Sequence, residues 1–263
     1  MLENIYENRL SKLYLSNGYA IEESDEKKTL EEIKLIFVKN INMILPKTKS
    51  KSDNYTLNYI HKFLSVKDLN SFRLEIIHKI NNTNDFRKKF FKVSKKMVET
   101  IVGNELAMQT KINLSIQIPN DDTSLLPVHA DTWSGLSPFE TVVLMPLVDC
   151  YKTKSMFILP SNKSKIINKI FKYKIKSTSD IFQKIKKDIK WLKINYGQIL
   201  IFDQTLPHGN VVNKEKETRW TMNCRFKGIF TPYKDKKLGE FYEPITLKSA
   251  TKRGLNYKLP NEK

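Results

Sequence analysis

Residues 219–226, with the sequence RWTMNCRF, alternate polar and apolar side chains without interruption. The apolar positions are Trp220, Met222, Cys224 and Phe226, and the polar positions are Arg219, Thr221, Asn223 and Arg225. Because successive side chains of a strand point to opposite faces, this pattern predicts a strand with one apolar and one polar face. The polar face either contacts water, as in an ordinary antiparallel sheet, or lines a cavity, and the strand alone is compatible with both.

Alternation with a period of two recurs through the second half of the chain, in short segments separated by Pro, Gly, Asn and Asp. We predict strands at residues 111–118, 140–148, 155–159, 191–194, 198–203 and 218–230. Many short strands in one continuous block are typical of a sandwich or a barrel. We therefore expect residues 108–263 to form a double-stranded β-helix, or jelly roll.

A lysine-rich segment at about residues 161–190 interrupts this block of strands. Ile181, Ile185 and Ile189 recur there at four-residue intervals, behind a TSD tripeptide at 178–180 whose side chains suit a helix N-cap. The segment is therefore predicted to be a basic, helical insertion between strands.

The first 107 residues have the apolar spacing of helices rather than of strands. One helix is predicted from residue 25 to Pro46, a second at about 66–80 and a third at about 85–107. We expect this N-terminal region (1–107) to pack on the jelly roll and to support it. The predicted fold class is accordingly α+β.

The charge balance bears on the kind of partner. The formal net charge is +18, from 46 Lys and Arg against 28 Asp and Glu. Such an excess attracts polyanions. Most of it is lysine, however, and no basic run is interleaved with the aromatic side chains that stack on bases. The sequence thus argues against nucleic acid as a partner and is compatible with a small anionic substrate.

Cysteine content and hydropathy argue against a cysteine zinc site, a membrane span and a signal peptide. The two cysteines, Cys150 and Cys224, are too few for a cysteine zinc site and form no CxxC motif. No apolar run approaches the roughly 18 residues of a membrane span. The first nine residues, MLENIYENR, contain acids where a signal peptide would have basic and then apolar residues. We expect a cytoplasmic protein.

The stretch LPVHADTW (126–133) places His129 and Asp131 two residues apart. In an extended segment both side chains leave the same face and can converge on one ion. An imidazole and a carboxylate together suit iron(II), which accepts mixed nitrogen and oxygen ligands. By itself, HxD is a short motif that also arises by chance.

A second histidine has a context of its own. Residues 197–210, GQILIFDQTLPHGN, run from an apolar strand into a turn and then to His208, beside a glycine. His208 lies 79 residues after His129, which leaves room for intervening strands. Two histidines and one carboxylate leave metal positions free for substrates, unlike a closed structural site.

Arg219 lies eleven residues after His208, and Thr221 shares its face of the predicted strand. A guanidinium group can hold a carboxylate through two parallel hydrogen bonds, and a hydroxyl group can add a third. The strand could therefore bind a dicarboxylate beside the metal.

HxD, a distant His, and Arg eleven residues later with a hydroxyl residue two beyond resemble the signature of the 2-oxoglutarate/iron(II) oxygenase superfamily. The resemblance covers roughly residues 108–232. It is carried by NLSIQ (113–117), LPVHAD (126–131), SPFE (137–140), TKSM (153–156) and RWTMNCR (219–225). These stretches are similar to oxygenases found sporadically in bacterial surface-carbohydrate gene clusters, which are related to a streptomycin-biosynthesis oxygenase.

The resemblance implies a role for each matching residue. It makes His129, Asp131 and His208 the ligands of Fe(II). It makes Arg219, with Thr221, the binding site for the distal carboxylate of 2-oxoglutarate, and dioxygen the second co-substrate. It also places Gln117, Lys154 and Ser155 in the same pocket, although Gln117 and Lys154 have the alternative of being ordinary surface residues. The substrate it implies is a sugar, a nucleotide-sugar or a related surface-carbohydrate intermediate, which would be hydroxylated.

Four further residues have two interpretations each. Arg225 either holds an anionic group of the substrate or is a structural ion-pair partner. Trp133 is either a stacking platform for substrate or a packing aromatic. Asp149 and Asp203 are candidates for acceptors that orient the metal-bound histidines, since such ligands usually have a hydrogen-bonding partner.

Three competing functions remain after this reasoning. A cupin-like, metal-dependent sugar epimerase or isomerase would also be a jelly roll with histidines, but it would need no Arg219 clamp. A non-enzymatic carbohydrate-binding jelly roll would need no intact ligand set. A basic nucleobase demethylase would bind nucleic acid with a strong dependence on salt.

Overall fold

The computed structural model describes residues 4–171 and 177–260. Its α-helices are α1 (Ile5–Asn17), α2 (Lys27–Ile44), α3 (Asp53–Asn58), α4 (Val66–Asn81), α5 (Phe86–Ile101), α6 (Lys165–Phe171), α7 (Thr178–Ile185) and α8 (Ser249–Leu255). Its strands are β1 (Tyr19–Glu23), β2 (Leu106–Gln109), β3 (Asn113–Gln117), β4 (Glu140–Pro146), β5 (Phe157–Ile158), β6 (Lys190–Trp191), β7 (Gln198–Asp203), β8 (His208–Gly209), β9 (Arg219–Gly228) and β10 (Tyr242–Thr246). None of the helices in these two ranges is both long and apolar enough to span a bilayer.

The strands form two antiparallel sheets. The larger has the order β1-β7-β4-β9-β2-β10, and β3 joins it by pairing with β9. The ten-residue strand β9 has room for both neighbours on one side, because β3 pairs with its first half and β2 with its end. The smaller sheet has the order β6-β5-β8. The prediction of helices combined with antiparallel sheets is therefore confirmed.

The helices cover one face of the larger sheet. Trp220 of β9 is fully buried and meets Phe37 of α2 and Phe72 of α4 edge to face, at 6.3 and 6.1 Å between ring centroids. Its indole N–H donates to the carbonyl of Leu57 at 2.8 Å. The apolar residues of β9 thus face the helical layer, and its polar residues must point to the opposite side, because side chains alternate along a strand.

Two of the predicted helices are confirmed, as α2 and α4. The third, predicted over 85–107, ends at Ile101, and Leu106–Gln109 is strand β2. Gly103 explains the difference, because its φ of +121° lies outside the helical region and turns the chain into the sheet. Side-chain periodicity also did not predict β1, which pairs antiparallel with β7 at the edge of the larger sheet.

The basic insertion contains the two short helices α6 and α7, while residues 172–176 of the predicted segment lie outside the described ranges. The cap of α7 is Ser177, whose hydroxyl oxygen accepts from the amide of Asp180, one position before the predicted TSD cluster. Ile181 and Ile185 are buried in a small core with Ile167 and Phe157. The insertion is thus attached to the smaller sheet by its own apolar contacts.

Gly18 connects the N-terminal helix to the strand that leads to His208. It ends α1 with a φ of +78°, and a Cβ atom at this position would lie 2.5 Å from the Cδ1 atom of Leu206. Its carbonyl oxygen accepts from the amide of Asp203 at 2.8 Å. The residue must therefore be both conformationally free and small.

We expect Gly18→Ala to lower the free energy of unfolding by roughly 2 kcal/mol or more, because a left-handed alanine and an overpacked contact each destabilise. The matched control is Gly254→Ala in α8, where an added Cβ meets no atom within 4 Å; its effect should stay within about 1 kcal/mol. Urea denaturation followed by circular dichroism measures both. Equal midpoints for the two variants would contradict the packing at Gly18.

Candidate metal centre and its cavity

Three predicted ligands meet in space. One ligand atom from each of His129, Asp131 and His208 can be chosen so that all three lie within 4.8 Å of one another, a spacing that one metal ion can bridge. Asp131 and His208 are buried, and His129 is half-buried at the rim. The structure thus brings together side chains that are up to 79 residues apart in the sequence.

The backbone fixes this meeting. His129 and His208 form an antiparallel bridge, in which the amide of His129 donates to the carbonyl of His208 at 3.0 Å and the reverse bond measures 2.8 Å. Residues paired in this way project side chains to the same face, and the two imidazole rings lie 4.3 Å apart. Asp131 follows two residues later, and its amide donates to the carbonyl of Gln204 at 3.0 Å.

Both histidines present the same nitrogen to the site. The Nδ1 atom of His129 lies 2.7 Å from the carbonyl oxygen of Pro127, and that of His208 lies 2.8 Å from the carbonyl oxygen of Leu206. A carbonyl oxygen only accepts, so each Nδ1 must hold the proton and each Nε2 has a free lone pair. Burial, together with the neighbouring His129, lowers the pKa of His208 to about 4, so its imidazole is neutral at neutral pH.

Asp149 and Asp203, the predicted orienting acceptors, bind backbone amides instead of the histidines. Asp203 accepts from the amide of Thr205 at 2.8 Å, and Asp149 accepts from the amide of Tyr196 at 2.7 Å. The prediction that they orient the histidines is therefore wrong. Backbone carbonyls two residues before each histidine perform this role, and no side-chain pattern in a sequence reveals them.

Arg225 holds Asp131 in place. Its Nη2 atom donates to Oδ2 of Asp131 at 2.9 Å, and its Nη1 atom lies 3.4 Å from Oε1 of Gln109. The other carboxylate oxygen, Oδ1, faces Nε2 of His129 at 3.8 Å. Of the two interpretations of Arg225, the structure therefore contains the ion pair, which leaves one oxygen of Asp131 directed at the histidines.

The three ligands line a cavity of about 360 Å³. Polar side chains of β3 and β9 form one wall, including Asn113, Ser115, Arg219 and Asn223. Apolar side chains complete it, from the neighbouring strands β4 and β7 of the same sheet and from the residue before β5: Val142, Leu144, Phe202 and Met156. The polar face of β9 thus lines a cavity rather than contacting bulk water.

Arg219 is buried in this cavity, with 4% of its surface exposed. Its guanidinium donates to Oγ1 of Thr221 at 3.3 Å and to the carbonyl of Ser155 at 3.4 Å. No carboxylate within the described ranges forms an ion pair with it, and burial lowers the pKa of the guanidinium. A buried charge without a counter-ion is unfavourable, so this site favours an anionic ligand.

Unpartnered polar atoms cluster around Arg219. The Nε atom of Arg219, the Oγ atom of Ser155 and the Oε1 atom of Gln117 are buried without a hydrogen-bond partner in the part of the chain that the structure describes. Gln117 lies directly opposite Arg219 in the register of β3 and β9. Buried polar groups are normally paired, so this cluster fits a ligand that supplies both acceptors and donors or bound water.

Two predicted site residues have other partners. The ammonium group of Lys154 is fully buried, but it binds Oε2 of Glu217 at 2.7 Å and Oδ1 of Asn58 at 2.8 Å, and Lys154 does not line the cavity. Trp133 is 40% exposed and packs edge to face on Phe171 of α6, at 5.1 Å between ring centroids. Neither side chain is brought to the metal ligands, although Lys154 and Gln117 are both buried rather than ordinary surface residues.

Sequence reasoning missed two parts of the cavity. Arg73 reaches it from α4, and residues 123–126 form part of its wall. Arg73 follows Phe72 of the buried helix face, and no motif or spacing in the sequence distinguishes it from other basic residues of the helical region. The loop is shaped by Asp121, whose carboxylate accepts from the amide and hydroxyl of Thr123 and from the hydroxyl of Ser124.

No family model matches the sequence. No curated protein does either. Solved structures do match. The non-haem monooxygenase ThoJ, in complex with nickel, aligns with 91% of this chain and 84% of its own, at a TM-score of 0.54 and 13% identity. The non-haem α-ketoglutarate-dependent carbocyclase SnoK from nogalamycin biosynthesis aligns with 90% of this chain and 96% of its own, at a TM-score of 0.55 and 12% identity. EctD from S. alaskensis, in its apo form, aligns with 86% of this chain and 78% of its own, at a TM-score of 0.54 and 10% identity. At such low identity these matches show a shared fold.

We expect alanine at His129, Asp131 or His208 to weaken Co(II) binding by about 100-fold or more, because loss of a direct ligand should exceed the 10- to 100-fold effect of outer contacts. Equilibrium dialysis measures the affinity. His78→Ala is the matched control, since it removes an exposed imidazole of α4 whose hydrogen-bond partner is Asn82, just after the helix. A His208→Ala protein that binds Co(II) as tightly as the unmodified chain would exclude the proposed ligand set.

Proposed function

We propose that this chain is a non-haem Fe(II)/2-oxoglutarate-dependent dioxygenase with a jelly-roll core, and that it hydroxylates a small carbohydrate-derived substrate. The observation that carries the proposal is the pairing of two features in one cavity. Two imidazole nitrogens and one carboxylate oxygen converge at one point. A buried guanidinium without a carboxylate partner in the described ranges lines the same space.

The ligand set fits Fe(II). The Nε2 atoms of His129 and His208 and the Oδ1 atom of Asp131 would hold it, a mixed nitrogen and oxygen set that leaves positions open for substrates. When bound, the iron would supply the oxidative chemistry, with 2-oxoglutarate and dioxygen as co-substrates. The protein's contribution is to keep both imidazoles in the binding tautomer, through the carbonyls of Pro127 and Leu206.

The environment of Arg219 fits the far carboxylate of 2-oxoglutarate. Its guanidinium would form a charge-assisted pair with that group, and the hydroxyl of Thr221 lies 3.3 Å from the same guanidinium. The Oγ atom of Ser155 and the Oε1 atom of Gln117 are buried polar atoms beside it that have no partner in the described ranges. Lys154 is left out of the proposed pocket, because Glu217 and Asn58 already hold its ammonium group.

The structural matches support this assignment. SnoK is an α-ketoglutarate-dependent enzyme. ThoJ binds nickel and EctD has been solved with bound iron, the latter at a TM-score of 0.50. A common fold hosts several functions, so the proposal depends on the residues of this cavity rather than on the fold.

The size of the cavity supports a small substrate. About 360 Å³ lies in the range of small-molecule pockets. The carbohydrate class comes from the sequence stretches that resemble oxygenases of surface-carbohydrate clusters, which makes a sugar or nucleotide-sugar the proposed substrate. In this proposal residues 108–263 form the oxygenase core and residues 1–107 support it.

Arg219 distinguishes the dioxygenase from its two jelly-roll rivals. A cupin-like epimerase or isomerase needs a metal, but it needs no dicarboxylate co-substrate and hence no buried cation beside the metal. A binding module without catalysis needs neither. Formation of succinate from 2-oxoglutarate separates the three functions.

We expect the protein, given Fe(II) and 2-oxoglutarate without oxygen, to show a weak visible charge-transfer band. Admission of oxygen should then yield succinate. The double variant His129→Ala/Asp131→Ala should lose the band, because two of the three ligand atoms are removed. Protein with Fe(II) alone is the baseline. A band that persists unchanged in the double variant would refute the metal site.

We expect Arg219→Gln to raise the concentration of 2-oxoglutarate that half-saturates this band by about 10- to 100-fold, since a hydrogen bond to a charged group contributes roughly 1.5–3 kcal/mol. Glutamine can still bond to Thr221, so the cavity should keep its shape. Affinity for the metal should be unchanged. The control is Arg253→Gln, which removes one charge from the exposed helix α8. If Arg219→Gln binds 2-oxoglutarate normally, another group holds the distal carboxylate.

A further inference from the structure

Arg73 is a further cation of the cavity, beside Arg219 and Arg225, and it has few contacts of its own. It lies on α4, half-buried beside Phe72 of the helical core, and its side chain lines the cavity. Its Nη2 atom donates to Oδ1 of Asn70 at 2.7 Å, and its Nε atom is buried without a partner. Over residues 4–171 and 177–260, no carboxylate forms an ion pair with it.

The charges that line the cavity do not balance. They comprise three guanidinium groups, of Arg73, Arg219 and Arg225, against the single carboxylate of Asp131. Arg225 is paired with Asp131 at 2.9 Å. One carboxylate of a dicarboxylate co-substrate would bind the metal, and the other would pair with Arg219. Arg73 would then be the one cation of this lining that is left without an anion.

The strand next to Arg73 contributes no acid to the cavity lining. α4 packs on β3, whose lining residues are Asn113, Leu114 and Ser115. The loop residues 123–126 add further lining. Of the two acids that precede them, Asp121 is held by its own loop through Thr123 and Ser124, and Asp122 is exposed and does not line the cavity. Neutral donors and acceptors beside an unpaired guanidinium suit a polar ligand with one negative group.

We propose that Arg73 binds an oxyanion group of the substrate that is oxidised, either a carboxylate or a phosphate. This inference rests on the proposed function and deepens it: the substrate is an acidic or phosphorylated sugar derivative rather than a neutral one. A planar guanidinium matches the two oxygens of either group, and a lysine would not replace it. The helical N-terminal region thereby supplies a residue that determines specificity.

The test uses the full chain loaded with Zn(II), which does not react with oxygen, and saturated with 2-oxoglutarate so that Arg219 is occupied. With ¹⁵N-labelled arginine, the Nε–H signals report each guanidinium separately, and Arg73→Lys identifies the signal of Arg73. Inorganic phosphate and acetate are the two anionic probes, and glycerol is the neutral one.

Phosphate, acetate or both should shift the Arg73 signal in a saturable manner, and glycerol should not. The probe that binds identifies the anion class. Arg73→Gln should weaken the binding of that probe by about 10-fold or more, the effect of losing a charge-assisted pair, while Arg253→Gln should leave it unchanged. Affinity for 2-oxoglutarate should not change in either variant.

The inference is overturned if both anions leave the Arg73 signal in place, or if Arg73→Gln binds them as tightly as the unmodified protein. Its failure is separable from that of the proposed function. If 2-oxoglutarate does not bind but phosphate still shifts Arg73, the dioxygenase assignment fails and the anion site stands. If 2-oxoglutarate binds and neither anion shifts the Arg73 signal, the anion site is refuted and the dioxygenase assignment is not.

Discussion

The pair of backbone hydrogen bonds between His129 and His208 is the constraint on which the candidate metal centre depends. Neither histidine lies in a long strand. His208 belongs to the two-residue strand β8, and His129 pairs with it through an isolated β-bridge. Two amide bonds at 3.0 and 2.8 Å nevertheless fix the direction of both side chains. Because each imidazole is also held by a carbonyl two residues earlier, ring position and tautomer are set before any metal arrives.

The alternation of β9 divides the molecule into a core and a cavity. Its apolar face is covered by the helical layer around Trp220, so its polar face is directed into the cavity. A guanidinium at Arg219 in such a place is unfavourable without an anion. The same alternation that stabilises the fold therefore places a buried charge where no carboxylate of residues 4–171 and 177–260 pairs with it. One strand thus carries both the stability and the proposed chemistry.

Much of this could be predicted from the sequence, and the failures have a common cause. Periodicity predicted α2, α4 and most strands, because the apolar pattern of each element is local. It missed β1, whose five residues are recognisable only by their pairing with β7, and it extended α5 into β2. Within the site, motif spacing placed His129, Asp131, His208 and Arg219 in one cavity. The partners of these residues were not predictable. The Asp131–Arg225 and Lys154–Glu217 pairs are contacts between distant segments, and the carbonyl acceptors of the histidines, although only two residues away, leave no side-chain pattern.

The Asp131–Arg225 pair has a consequence for the metal centre that the ligand set alone does not reveal. With Oδ2 bound to the guanidinium at 2.9 Å, only Oδ1 of Asp131 is directed at the histidines. The carboxylate would therefore offer the metal one oxygen rather than two. Three single-atom donors on one side leave the rest of the coordination sphere free, which a chelating co-substrate and dioxygen together require. Arg225 thus favours an open metal site by occupying one oxygen of the carboxylate.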